Sequence, residues 1–209
     1  MKKVLLIYAV LIVAILGWYF GFAERSGRTD NGPKQQAITV SKHSAAFNAS
    51  LEKVMDTYYA MTEGYIGWDT IEVDKQASNL KLALEQLKID ELKKDTDIYQ
   101  TAVSSLDNVK TELNGMISDT GIEAKRESLN LFSNQLYDLL RIIHYDTGKI
   151  YLQECPMAFQ EETPGNWLSA TSKVRNPYMG TKHPKYHSGM LECGGPKDTL
   201  NYMTAENKK

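Results

Sequence analysis

Four sulfur-bearing side chains bracket one stretch near the C-terminus and set the first chemical question. Cys155-Pro156-Met157 opens the segment from Lys149 to Gly195, and Met190-Leu191-Glu192-Cys193 closes it. Thiolate and thioether sulfur are soft donors that select Cu(I) and similar ions over hard cations. In Cys155-x-Met157 the intervening Pro156 fixes one backbone dihedral, which suits a turn that aims both neighbours at one ion. Met190-x-x-Cys193 has the offset that places two side chains on one side of a helical turn. The two halves together predict a metal site of Cys155, Met157, Met190 and Cys193, loaded with copper(I) or a similar soft ion. The competing reading is a disulfide between Cys155 and Cys193, closing a loop of 37 intervening residues. Such a bridge would contribute about 3–4 kcal/mol on loop-entropy grounds. It would also consume both thiolates, so the two readings exclude one another unless the pair changes redox state.

Further donors lie nearby. His183-Pro-Lys-Tyr-His187 offers two imidazoles four residues apart, a spacing used at metal sites on helices. Pro184 argues against a helix there, so a solvated loop is the plain reading and auxiliary ligation the functional one. Met179, beside Tyr178, stands between packing and sulfur donation. Met55, Met61 and Met116 fall on or near helical stripes and read as core, where methionine commonly fills gaps. His144 sits where an imidazolium would suit a helix C-terminus, and His43 reads as surface. No nucleophile elbow, phosphate loop, dinucleotide fingerprint or His-Glu-x-x-His is present, so the expectation is a binding protein and not an enzyme. Cys-x-x-Cys-His is absent too, and neither haem nor nucleotide is expected.

Amphipathic helices are the elements that must position these sulfurs. Phe47, Leu51, Val54, Tyr58 and Tyr65 share one face, closed by Gly64, Gly67 and Asp69. Val73, Ala77, Leu80, Leu84 and Leu87 predict a second helix from about Thr70 to Lys93. Asp95-Thr96-Asp97 supplies N-cap residues for a third, with a stripe of Tyr99, Ala102, Leu106, Val109, Leu113 and Met116. A fourth carries Ile122, Leu129, Phe132, Leu136, Leu139 and Ile143 and stops at Asp146-Thr147-Gly148. Four helices with short connections predict an antiparallel four-helix bundle over residues 41–148 and an all-α fold class. The Cys/Met segment, 149–203, then packs on the bundle as irregular chain, with Ile150-Tyr151-Leu152 as a brief strand and 204–209 as a polar tail.

Ahead of the bundle, residues 4–23 carry no charge and no proline and are long enough to span a bilayer as a helix. Lys2 and Lys3 precede the run, which places the N-terminus in the cytoplasm, and Trp18, Tyr19, Phe20 and Phe22 form an aromatic belt at its far end. Residues 1–23 therefore predict an uncleaved signal-anchor; a cleaved signal peptide is the rival. Residues 24–40 read as a flexible tether, and the domain beyond is exported, where a disulfide is permitted. Without Lys2 and Lys3 the chain keeps 22 basic against 26 acidic residues, a net of −4, which gives no electrostatic footprint for nucleic acid.

Several motifs, taken together, resemble a known family. They are Tyr151-x-x-x-Cys155-Pro-Met-Ala, Trp167-Leu-Ser, Arg175-Asn-Pro-Tyr and Met190-Leu-x-Cys193-Gly, with Arg126-Glu-x-Leu129-x-x-Phe132-Ser133 upstream. The pattern resembles an uncharacterised domain family of exported or membrane-anchored bacterial proteins, also fused to periplasmic adaptor subunits of heavy-metal efflux pumps. It covers about Ala46 to Lys197. Cys-Pro-Met alone also resembles the short heavy-metal-binding motif of copper pumps. The resemblance implies an anchor in the bacterial inner membrane and a domain in the periplasm that handles copper, silver or a related metal, with the Cys and Met positions as ligands and an efflux adaptor or transporter as partner. The chain departs from the pattern at Thr181–Gly189, an apparent insertion that carries His183 and His187.

Overall fold

In the computed structural model of the protein, which describes residues 43–159 and 163–203, the helices begin where the sequence supplies caps. Ser44 accepts a hydrogen bond from the Phe47 amide at 3.2 Å and starts α1, Ala45–Ile66. Asp69 accepts from Glu72 N at 3.0 Å and starts α2, Thr70–Glu85. Asp95 accepts from Ile98 N at 3.1 Å and starts α3, Thr96–Ser118. Each oxygen satisfies one of the amides that a helix start leaves unpaired. The last helix, α4, spans Ile122–Ile142 and ends on His144, whose φ of 52° closes the final turn through Tyr145 N donating to Leu140 O. The predicted membrane anchor (1–23), tether (24–40) and tail (204–209) lie outside the described residues. Among the described residues no helix is long and apolar enough to cross a membrane.

The second helix is shorter than its stripe predicts. It stops at Glu85, and Ile89–Lys94 form a 3-10 turn. Leu87 and Leu92 are both buried, and a continuous helix would turn part of this stretch away from the core. Ser50 Oγ also accepts from Lys88 N at 3.3 Å, which ties the break to α1.

Helices α1 and α4 run antiparallel. Tyr65 Oη donates to Lys125 O at 2.9 Å, Tyr58 Oη meets Ser133 Oγ at 2.7 Å, and His43 Nε2 contacts Ile143 O at 2.6 Å. The stripes meet as one core: Phe47, Tyr58, Met61, Val73, Leu80, Val109, Met116, Leu129, Phe132 and Leu136 are fully or almost fully buried. His43, expected at the surface, instead has its side chain only 2% exposed, beside Glu91.

An all-α class does not describe the molecule. Residues after Gly148 build a three-stranded antiparallel sheet, so the architecture is four helices plus a small sheet. Strand β1, Ile150–Cys155, lies in the middle, flanked by β2, Gly165–Ser169, and β3, Gly195–Leu200. Leu152 sits opposite Leu168 on one side and Asp198 on the other. Sequence pattern conceals this sheet for a physical reason. β3 is an edge strand of Gly-Pro-Lys-Asp-Thr-Leu, poor in strand-forming residues and largely exposed. Its ladder with β1 shifts register beside Pro196, which lacks an amide to donate. The sheet shares the helical core: Ile150, Leu152, Cys155, Trp167, Leu168, Tyr178, Met179 and Leu200 belong to the same buried cluster as the helix stripes.

Candidate functional site

The two thiols meet. Cys155, the last residue of β1, is fully buried, and Cys193 lies half-buried in the turn that feeds β3. Their Sγ atoms are 3.4 Å apart and both cysteines are free. The approach depends on Gly194, which follows Cys193 with φ +114°, a region that favours glycine. A Cβ there would fall 2.2 Å from Glu154 O, so any side chain at 194 would push the turn off β1. One residue on, Gly195 pairs with Glu154, which fixes the register that carries Cys193 back to the end of β1.

A buried amide holds the other side of the pair. Asn176 is fully buried; its Nδ2 donates to Cys193 O at 2.8 Å, while its Oδ1 accepts from Tyr178 N at 2.8 Å and Met179 N at 3.1 Å. Its backbone N donates to Leu191 O at 2.9 Å, and Cys193 N donates to Met190 O at 3.0 Å. The Cys193 backbone is therefore fixed on both sides, which leaves side-chain rotation as its main freedom. Burial, followed by the neighbouring Cys155 thiol, pushes the Cys193 pKa up to about 11. At neutral pH Cys193 carries its proton, and a metal ion or an electrophile has to displace it.

The other predicted donors each have their own surroundings. Met157 is 40% exposed, in the turn after β1. Met190 is partly buried against the core, three residues before Cys193. Met179 is buried, and its carbonyl accepts from Trp68 Nε1 at 3.1 Å, so it is a packing residue of the shared core. His183 and His187 belong to one tight loop closed by His187 N donating to His183 O at 2.8 Å. The His183 Nδ1 atom accepts from Lys185 N and Tyr186 N, and its ring stands edge-on to Trp68 at 5.7 Å. Burial, then Arg126, lowers its pKa, so the neutral ring that accepts these bonds is favoured. Among the described residues no group of three or more His, Cys, Asp and Glu could hold a metal ion.

Two charged residues were not expected inside. Arg126 of α4 is buried: Trp68 covers its guanidinium at 3.7 Å, and it donates to Pro177 O and Glu123 at 3.3 Å each. Its neighbour Lys125 donates to Met116 O at 3.0 Å and pairs with Asp74 at 2.7 Å. Arg126 thus grips the Asn176-Pro177-Tyr178 turn that Asn176 ties to Cys193. Periodicity could not reveal this, because long cationic side chains ordinarily mark the solvent face of an amphipathic helix. The usable signal was the Asn-Pro pair, a turn former, lying between two cysteines.

No family model, curated protein or solved structure matches the chain. The functional reading therefore rests on the residues themselves.

Proposed function

We propose that this chain is a membrane-anchored, extracytoplasmic binding protein for a soft metal ion of the Cu(I) class, held on Cys155 and Cys193 and passed to an efflux adaptor or transporter. The observation that carries the reading is the 3.4 Å approach of two thiols from distant points of the chain. Two thiolates about 2.3 Å from a shared tetrahedral ion stand about 3.8 Å apart, so a small outward rotation of Cys193 would admit one. The metal is cargo. On binding, each thiol gives its proton to solvent, and the high pKa of Cys193 makes capture stronger as pH rises. In this proposal exposed Met157 receives the ion and Met190 completes its shell, and transfer proceeds by exchange between sulfur donors. Residues 4–23 supply the anchor in this proposal.

The test is Cu(I) titration of the reduced protein against a competing chelator. A structural Zn site of four ligands gains about 10–16 kcal/mol, about 3 kcal/mol per ligand; on that scale Cys155→Ser should weaken Cu(I) binding by roughly a hundredfold, and Met157→Ala by less. Unchanged affinity in both variants rejects the assignment. A second reading draws on the same contact: a helical interaction module of a membrane complex, with Cys155 and Cys193 permanently bridged and no metal role. It predicts no free thiol in protein isolated without reductant and no Cu(I) binding after reduction.

A further inference from the structure

We infer that Cys155 and Cys193 form an asymmetric redox gate: Cys193 exchanges with an external organic disulfide, Cys155 resolves the adduct, and the resulting bridge shuts the metal site. The gating consequence rests on the metal-binding reading above; the exchange chemistry does not.

The asymmetry lies in access and reach. Cys155 is 0% exposed, enclosed by the shared core at the end of the central strand, so an external reagent cannot approach its sulfur in line. Cys193 is partly exposed, and its sulfur lies 3.4 Å from that of Cys155. A disulfide has S–S near 2.05 Å, so the sulfurs must close by about 1.4 Å, a distance that rotation about the Cys193 side chain covers. Cys193 O stays bonded to Asn176 Nδ2 and Cys193 N to Met190 O, so the turn is already set for closure.

The exchange is balanced as follows. Cys193 releases its proton to solvent and attacks one sulfur of the incoming disulfide. That S–S bond breaks, one half leaves as a thiolate and takes up a proton, and the other remains on Cys193 as a mixed disulfide. Cys155 then loses its proton and attacks Cys193 Sγ, and the second half departs as a thiol. The protein has lost two hydrogens and the external disulfide has gained them. With both sulfurs in the bridge, neither thiolate is left for an ion, and reduction by a dithiol restores the site.

The experiment uses the full-length chain in detergent, reduced, freed of reductant and exposed to oxidised glutathione, with intact mass as the readout. Wild type should lose the mass of two hydrogens. Cys155→Ser should gain one glutathionyl group on Cys193, and Cys193→Ser should not react at a comparable rate. Cys155→Ala, which keeps the buried position apolar, should repeat the adduct. Cu(I) titration with ascorbate, which keeps copper reduced and leaves the bridge intact, should then show at least a tenfold loss of affinity in the oxidised protein. Equal reaction of the two Ser variants, or a wild type that stops at the mixed disulfide, overturns the gate. Equal Cu(I) affinity of oxidised and reduced protein overturns it as well. A bridge that forms normally in a protein that never binds Cu(I) supports the exchange and overturns the metal-binding reading.

Discussion

Between Ala45 and Ile142 the path of the chain is set by apolar stripes, whereas between Ile150 and Leu200 it is set by single polar atoms. In the helices, residues such as Leu80, Val109 and Phe132 meet wherever their faces meet, and many hydrophobic choices would serve. In the sheet region the decisive contacts are individual. Leu168 N donates to Tyr58 Oη at 2.9 Å, Pro177 O accepts from Arg126, Asn166 O accepts from Tyr178 Oη, and the Asn176 side chain spans three backbone groups. A stripe tolerates change because burial is summed over many atoms. A buried hydrogen-bond hub does not, because removing one partner strands the rest.

Three substitutions sharpen or break this contrast. The largest effect belongs to Phe132→Ala, which opens a cavity where α4 faces Tyr58 and should cost about 3–5 kcal/mol in chemical denaturation. Helical circular dichroism and the sheet should be lost together. Asn176→Ala follows, at about 3 kcal/mol, because Tyr178 N, Met179 N and Cys193 O all lose their partner. Here protease should cut between residues 170 and 193 while most helical signal survives; simultaneous loss of both would make the two regions one cooperative unit and end the distinction. Tyr58→Phe should be smallest, about 2 kcal/mol, since Leu168 N and Ser133 Oγ lose the hydroxyl that joins helix to sheet. A double-mutant cycle with Ser133→Ala isolates that link, and additive effects would show that the hydroxyl couples nothing.

The same contrast explains what the sequence disclosed. Leu129, Phe132, Leu136, Leu139 and Ile143 announce α4 because a helix repeats its burial every few residues, and all five are buried. Met55, Met61 and Met116 read correctly as core for the same reason. β3 was invisible because an edge strand with Gly195 and Pro196 is held by its neighbour and not by its own composition. At the site, two cysteines separated by 37 residues advertised a partnership, and the sulfurs do meet. Nothing in their spacing told that Cys155 would end a strand, or that Gly194 and Asn176 would bring Cys193 to it. Those are long-range contacts of single atoms, and a linear pattern does not record them.

Trp68 carries one more consequence. Its indole lies over the Arg126 guanidinium and bonds the Met179 carbonyl, at the seam where the C-terminal turn meets the bundle. A fluorophore flanked by a cation and a carbonyl responds in colour and yield when either is withdrawn. With Trp18 and Trp167 replaced by phenylalanine, Trp68 becomes an optical gauge of whether that turn is seated, readable without any attached label.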